Sequence, residues 1–166
     1  MLGLLRNAER ALNDALSAPL AVGTAAPDFT LPNQRGEAVR LSALRGQPVV
    51  LVFYPVDDTP VCTVQLRDFN AELDTLTAAG ARVFGVNPGD GASHTAFCGK
   101  LGLGFDLLVD AGARVAEQYR AKYGPVALVR RTVYAIGADG RIVFAARNTP
   151  APSEVLAALG ASKGAP

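Results

Sequence analysis

The sequence predicts an α/β fold, with a mixed central β-sheet flanked by helices and an N-terminal β-hairpin. Three observations carry this reading. PVVLVF (Pro48 to Phe53) and RVFGVN (Arg82 to Asn87) are short apolar runs rich in β-branched residues. Runs of that kind form strands buried on both faces, as in a parallel sheet. Between them, apolar residues recur at Cys62, Leu66, Phe69, Leu73 and Leu76, one stripe of an amphipathic helix. Finally, RTVYAIG and RIVFAAR flank Ala138-Asp139-Gly140, a strong antiparallel hairpin signal. Strands alternating with helices, followed by a hairpin, give a mixed sheet covered by helices.

The elements follow in order. Residues 1–20 form an amphipathic helical extension, with Leu5, Ala8, Leu12 and Leu16 on one face. Residues 21–160 form a single domain that opens with extended FTL, a turn at NQRGE, and VRL, a β-hairpin. Ser42 caps a short helical turn that ends at Gly46. The Pro48 to Phe53 strand leads into the Cys62 helix, which Gly80 terminates. The Arg82 to Asn87 strand closes at Pro88-Gly89-Asp90. Gly91 to Leu101 is a helix carrying Cys98, and FDLLVD is a further strand. Ala111 to Tyr123 reads as helical, with Val115, Tyr119 and Tyr123 on one face. After the hairpin, Ser153 caps a closing helix, EVLAAL, and residues 161–166 are a frayed tail.

Composition narrows the function. With 166 residues, 49% of them apolar, and a net charge of +1, the chain has room for a proper core. That balance gives no electrostatic case for nucleic acid or for anionic membranes. No segment is apolar for long enough to span a bilayer. Arg6, Glu9, Arg10 and Asp14 interrupt what a secretory signal would need as its apolar core, so a cytoplasmic location is expected. Two cysteines and one histidine are too few for a Cys/His metal cluster, so no metal is expected.

Cys62 is the informative residue. Thr59 suits an N-cap and Pro60 the first helical position, which puts Cys62 in the first turn of a helix that starts from a central strand. Unpaired amides and the positive end of the helix dipole favour a thiolate there. A cysteine on such a stripe, without its flanking residues, would equally be a small buried hydrophobe. His94, the one histidine, reads as a surface or capping residue, and Asp57 and Asp58 as residues of a solvated turn. Activation would then fall to an arginine. The strand-to-helix junction is also where the thioredoxin fold carries its redox residue, with a C-x-x-C. Thr59 stands at the first cysteine of that motif, so any partner for Cys62 lies elsewhere.

These residues carry a resemblance. Pro55, Thr59 and Cys62 match P-x-x-x-T-x-x-C, and Tyr54 to Thr63 match the longer YPxDDTPxCT. The chain from about Ala21 to Leu159 resembles the peroxiredoxins, particularly the Q type or bacterioferritin comigratory proteins. The resemblance implies a thioredoxin fold and a thiol-dependent peroxidase, an oxidoreductase acting on hydrogen peroxide and organic hydroperoxides without metal, haem or flavin. It makes Cys62 the peroxidatic cysteine, Thr59 a hydrogen-bond partner of thiolate and peroxide, and Pro55 a shield against water. The family's arginine maps onto Arg131 rather than Arg130. Where many Q-type proteins place a resolving cysteine, this chain has Arg67; Gln65 and Val61 also depart from the usual glutamate and glycine. Cys98 matches the resolving position of another branch, implying a Cys62–Cys98 disulfide. To form it, the first turn of the Cys62 helix and the Cys98 segment are expected to unwind locally, the latter weakened by Gly91, Gly99 and Gly102. The reductant implied is thioredoxin or glutaredoxin, and the assembly a monomer or weak homodimer. A one-cysteine cycle resolved by an external thiol, or a non-catalytic Cys62–Cys98 redox sensor, remains open at this point.

Overall fold

The structure, a computed structural model, describes residues 1–163, apart from the side chains of residues 10–16 and 163. A helix, α1 (Leu2–Ser17), precedes the hairpin β1 (Thr30–Pro32) and β2 (Ala38–Arg40). Strand β3 (Val49–Phe53) lies at the centre of a five-stranded sheet. On one side it pairs in parallel with β4 (Arg82–Asn87), which pairs in parallel with β5 (Asp106–Val109). On the other it pairs antiparallel with β6 (Thr132–Ile136), which pairs antiparallel with β7 (Ile142–Arg147). This is the mixed sheet that the apolar runs predict.

Because strand side chains alternate, β3 feeds two cores. Val50, Val52 and Tyr54 pack with Cys62, Leu66 and Phe69 of α2 (Pro60–Ala71) and with Leu76 of α3 (Leu73–Ala78). Phe97 of α4 (Gly91–Leu101) and Val155 and Leu159 of α6 (Pro152–Lys163) complete that layer. Val49, Leu51 and Phe53 face the hairpin and α5 (Arg114–Gln118), where Tyr119 meets Phe53 and Tyr134 at ring distances of 5.4 and 5.3 Å. All five residues of β3 are buried, so its order in the sheet is set by apolar burial on both faces. Gly85 makes room within β4: a Cβ there would stand 2.5 Å from Leu107 Cδ2 and 3.0 Å from Tyr54 Cε1.

Several expected boundaries are corrected. The Cys62 helix is broken at Glu72 into α2 and α3, while Gly80, at φ 84°, stands just past the end of α3 as expected. At the break Asn70 clasps the turn after α4, donating to the Gly102 carbonyl and accepting from Gly104 N–H. The helix expected over Ala111 to Tyr123 is shorter. Asp110 accepts the amides of Val115 and Ala116, which starts α5 at Arg114. Arg120, at φ 53°, ends it with paired bonds from Arg120 N–H to Glu117 O and from Ala121 N–H to Ala116 O. Tyr123 is therefore not on the buried face but half exposed, beneath the Arg130 guanidinium. Ser42 does not cap its turn: the cap is Arg40, and Ser42 N–H donates to Asp28. Ser153 lies inside α6, where Glu154 instead accepts the Ala151 N–H. Helix α6 extends through Lys163, and the last three residues of the expected tail lie outside the described residues.

Helix α1 occupies part of the expected extension, and Leu2, Leu4 and Leu5 are exposed on it; Leu12 and Leu16 lie outside the described side chains. Its C-terminal carbonyl at Ser17 accepts from Arg130 and Arg147, cations suited to that end of a helix. No helix among the described residues is long and apolar enough to cross a membrane.

The reading of His94 and Asp57 is corrected most strongly. His94 has no exposed surface, and the Asp57 side chain is 5% exposed. Asp57 accepts four hydrogen bonds: from Tyr54 Oη (2.6 Å), Asn87 Nδ2 (2.9 Å), Ser93 Oγ (2.6 Å) and His94 Nδ1 (2.6 Å). The other ring nitrogen of His94 donates to the Leu108 carbonyl at 3.0 Å. His94 thus bridges the loop carboxylate and the β5 carbonyl, its ring fixed through both nitrogens. Burial pushes the Asp57 carboxyl up, but the bonds from His94, Ser93 and Tyr54 outweigh it and hold the group at about 2. Burial, with the Asp57 charge beside it, raises the Tyr54 hydroxyl well above its ordinary range and keeps it a donor.

Two predictions follow from the packing. Gly85→Ala should lower stability by about 1–3 kcal/mol in urea unfolding, because Leu107 and Tyr54 must both give way; an unchanged midpoint would contradict the close fit. Because the folded carboxyl of Asp57 titrates below the unfolded value of 3.8, its stabilisation is complete above that value and is lost as pH falls towards about 2. The stability difference between wild type and Asp57→Asn, followed by urea unfolding, should therefore be at its full size just above pH 3.8 and shrink as pH falls from 3.8 towards about 2.

Candidate active site

Strand β3 ends at Phe53, and Tyr54 N–H extends the ladder by one bond to Val86 O. The chain then crosses a five-residue loop, Pro55 to Thr59, and enters α2 at Pro60. Thr59 is the N-cap residue in extended conformation, which places Cys62 at the third helical position with its thiol pointing into the core. The sulfur has no exposed surface. A charged form of such a group depends on fixed partners, since water is not available to it.

Arg131 provides one. It immediately precedes β6, whose antiparallel register sets Thr132 opposite Phe53. Arg131 therefore stands one residue beyond the end of β3, on the face that carries Cys62. Its Nη2 donates to Cys62 Sγ at 3.2 Å, and its Nη1 to Gln65 Oε1 at 2.7 Å. Gln65, one turn after Cys62 and buried, donates from Nε2 to the Asn148 carbonyl at 3.2 Å. Asn148 N–H in turn donates to the Arg131 carbonyl at 3.0 Å. These bonds close a ring that fixes the guanidinium plane. Asn148 holds φ 68°, a conformation that asparagine tolerates. A neutral amide at Gln65 orients Arg131 without cancelling its charge, which stays directed at sulfur. Arg130 points elsewhere, to Ser17 O and the Tyr123 ring.

The start of α2 supplies further donors. Thr63 N–H bonds the Thr59 carbonyl at 2.9 Å, but helix geometry leaves the amides of Val61 and Cys62 without an intrahelical acceptor. The Thr59 side chain does not cap them. Its hydroxyl donates to the Val56 carbonyl at 3.2 Å, rather than to Cys62 as the resemblance implies. A hydroxyl has a single hydrogen, and here the loop takes it. Pro55 is half-buried at the start of the same loop.

Cys98 lies on α4, half-buried against the apolar cluster that contains Cys62. Burial, with the charges of Asp106 and Asp57 added, pushes its thiol up to about 11. Both cysteines are free thiols. The rings of Tyr54 and Phe97, 6.3 Å apart, join the Cys62 loop to the Cys98 helix. The site thus brings together Cys62, Arg131 and the helix start, while Thr59 is engaged by its own loop and Cys98 belongs to a neighbouring element. Gln65 and Asn148 complete the site, though the sequence does not mark either as a site residue. Gln65 showed itself there only as a departure from the usual glutamate, and Asn148 gave no signal.

Comparison with known proteins gives the family and the fold. The AhpC/TSA family matches residues 22–145. A chloroplastic peroxiredoxin Q of Oryza sativa subsp. japonica is 43% identical over 107 residues, 64% of this chain and 49% of that protein. The Arabidopsis thaliana chloroplastic peroxiredoxin Q is 41% identical over 108 residues, 65% of this chain and 50% of that protein. This chain therefore spans about half the length of the curated relatives it matches. Among solved structures, Xanthomonas campestris peroxiredoxin Q superposes with a TM-score of 0.73 at 32% identity, covering 89% of this chain and 97% of that one. The Mycobacterium tuberculosis peroxidoxin BcpB gives 0.80 at 29% identity, with coverages of 86% and 97%. The sheet and its flanking helices are those of the thioredoxin fold, and the chain belongs to the AhpC/TSA family, among the peroxiredoxins of the Q type.

Proposed function

We propose that the chain is a thiol-dependent peroxidase that reduces hydroperoxides through Cys62. The observation that carries the reading is the Arg131 Nη2 donor 3.2 Å from a Cys62 sulfur seated in the first turn of a helix. Thiolate sulfur attacks the terminal oxygen of the hydroperoxide, and the O–O bond breaks. Sulfur is oxidised to sulfenic acid, while the remaining oxygen leaves with a proton as water or alcohol. The open amides of Val61 and Cys62 and the guanidinium of Arg131 are placed to stabilise the charge that grows on that oxygen. On this reading the Thr59 hydroxyl turns from Val56 to the incoming peroxide, and Pro55 keeps water from the sulfur. A bacterioferritin comigratory protein of Xanthomonas campestris, 30% identical and superposing at a TM-score of 0.74, is described with alkyl peroxide reduction activity. Organic hydroperoxides are accordingly included in the substrate class.

Resolution falls to Cys98. Its sulfur attacks the sulfenic sulfur of Cys62, a disulfide forms, and the sulfenic oxygen leaves as water. With its thiol pushed up to about 11, Cys98 stays protonated at neutral pH, does not compete for peroxide, and carries the hydrogen that the leaving water needs. A dithiol protein such as thioredoxin or glutaredoxin then returns both cysteines to thiols by exchange.

Intact mass after one equivalent of hydroperoxide tests the assignment. Wild type should lose two hydrogens, Cys98→Ser should gain one oxygen at Cys62, and Cys62→Ser should not change. A stable gain of oxygen in wild type would remove Cys98 from the cycle and leave resolution to an external thiol. Sustained peroxide consumption with a thioredoxin system separates an enzyme from a sensor that oxidises once. Arg131→Ala should slow peroxide consumption by about 10²–10³-fold, the usual loss for one fixed donor at a developing oxyanion. A rate within twofold of wild type would contradict its role.

A further inference from the structure

The disulfide step, which rests on the function proposed above, places a demand on the structure beyond the reacting groups. Cys62 and Cys98 are free thiols on different helices, and a disulfide between them needs Cα atoms within about 7 Å with facing Cβ atoms, so the contacts that fix α4 against the Cys62 loop bear directly on that step. Two consecutive carboxylates of that loop grip α4 near its two ends. Asp57 accepts from Ser93 Oγ and His94 Nδ1 in the first turn, both at 2.6 Å. Asp58, held at φ 59°, meets Lys100 Nζ at 2.6 Å in the last turn. Ser93 and Lys100 are seven residues apart, two helical turns, and Cys98 lies between them. A cleft of about 180 Å³ separates the loop from the helix, lined by these two carboxylates with Ser93, Ala96, Phe97 and Lys100.

We propose that Asp57, gripping Ser93 and His94, is a latch that sets how oxidised Cys62 divides between the disulfide with Cys98 and over-oxidation by a second hydroperoxide. While the latch is closed, Cys98 is held back from the sulfenic sulfur. A second hydroperoxide can then transfer an oxygen to it, giving sulfinic acid and releasing water or alcohol. When the latch opens, α4 is free to present Cys98, and the disulfide forms with loss of water. The two grips differ in strength. In the inner grip the His94 bond is buried and both bonds are made to a carboxylate, the Ser93 bond at its exposed rim, so the inner grip dominates. The outer pair, with side chains 60% and 59% exposed, contributes little and only adjusts the balance. Asp57 and Ser93 act here as positioning residues, since neither touches sulfur or peroxide.

Single-turnover quench and mass analysis read the partition directly. Ser93→Ala, which removes one charge-assisted donor from Asp57, should speed disulfide formation about tenfold. It should lower the sulfinic fraction at excess peroxide and leave the first oxidation of Cys62 unchanged. Lys100→Ala should shift the same rate about twofold, and Ser93→Thr, which keeps the hydroxyl, should restore wild-type behaviour. Amide exchange on the reduced protein reads the latch without any redox chemistry: residues 91–101 should lose protection in Ser93→Ala. Disulfide formation at the wild-type rate in both Ser93→Ala and Asp57→Asn, or unchanged protection of α4, overturns the latch. If wild-type Cys62 never acquires oxygen, the peroxidase reading itself fails; if it does so without joining Cys98, the resolving role fails and takes the latch with it.

Discussion

A sulfur with no exposed surface, where any charge can be met only by fixed donors, is the constraint on which this structure depends. Water cannot support the charge, so the fold has to deliver fixed donors to one point at the end of a buried strand. It does so with two independent pieces of backbone. Helix α2 starts directly above the end of β3 and leaves unused amides there, while the antiparallel partner β6 begins beside the same end and brings Arg131. Neither element would serve alone. The sheet order, with β3 between a parallel and an antiparallel neighbour, is what makes them meet.

The guanidinium is useful only if it stays in place, and the structure spends several polar groups on that. Gln65 and Asn148 complete a ring with Arg131 in which each member is held by the next. Orientation of this kind, prepared before reaction, is what makes a donor effective in a water-poor site. The same economy of buried charge appears on the other side of the Cys62 loop. Asp57 and His94 form a fully hydrogen-bonded pair, supported by Tyr54, Asn87 and Ser93, so no partner of the pair is left unsatisfied. The glycine at Gly85 gives Tyr54 the space it needs to reach that pair. One loop thus stands between two polar clusters, one that directs a donor at sulfur and one that ties the loop to the helix bearing Cys98.

The sequence by itself determined the strands β3 and β4, helix α4, both hairpins and the place of Cys62. These features rest on local physics: continuous apolar runs, turn residues between them, and a Thr59-Pro60 helix start. Resemblance to a family added Arg131, whose lone identity as an arginine before a strand says nothing. The tertiary structure alone decided the rest. Helix α5 stops at a left-handed arginine that no periodicity marks, and α2 bends where Asn70 meets a turn more than thirty residues away. Asp57 and His94 read as solvent-facing because each, taken with its sequence neighbours, has no reason to be buried. Their burial is stable only as a pair, and the pair is 37 residues apart in the chain. Gln65 and Asn148, 83 residues apart, follow the same rule. Apolar burial is written locally because each residue seeks any dry surface, whereas a buried polar group needs one particular partner, and only the folded chain says which.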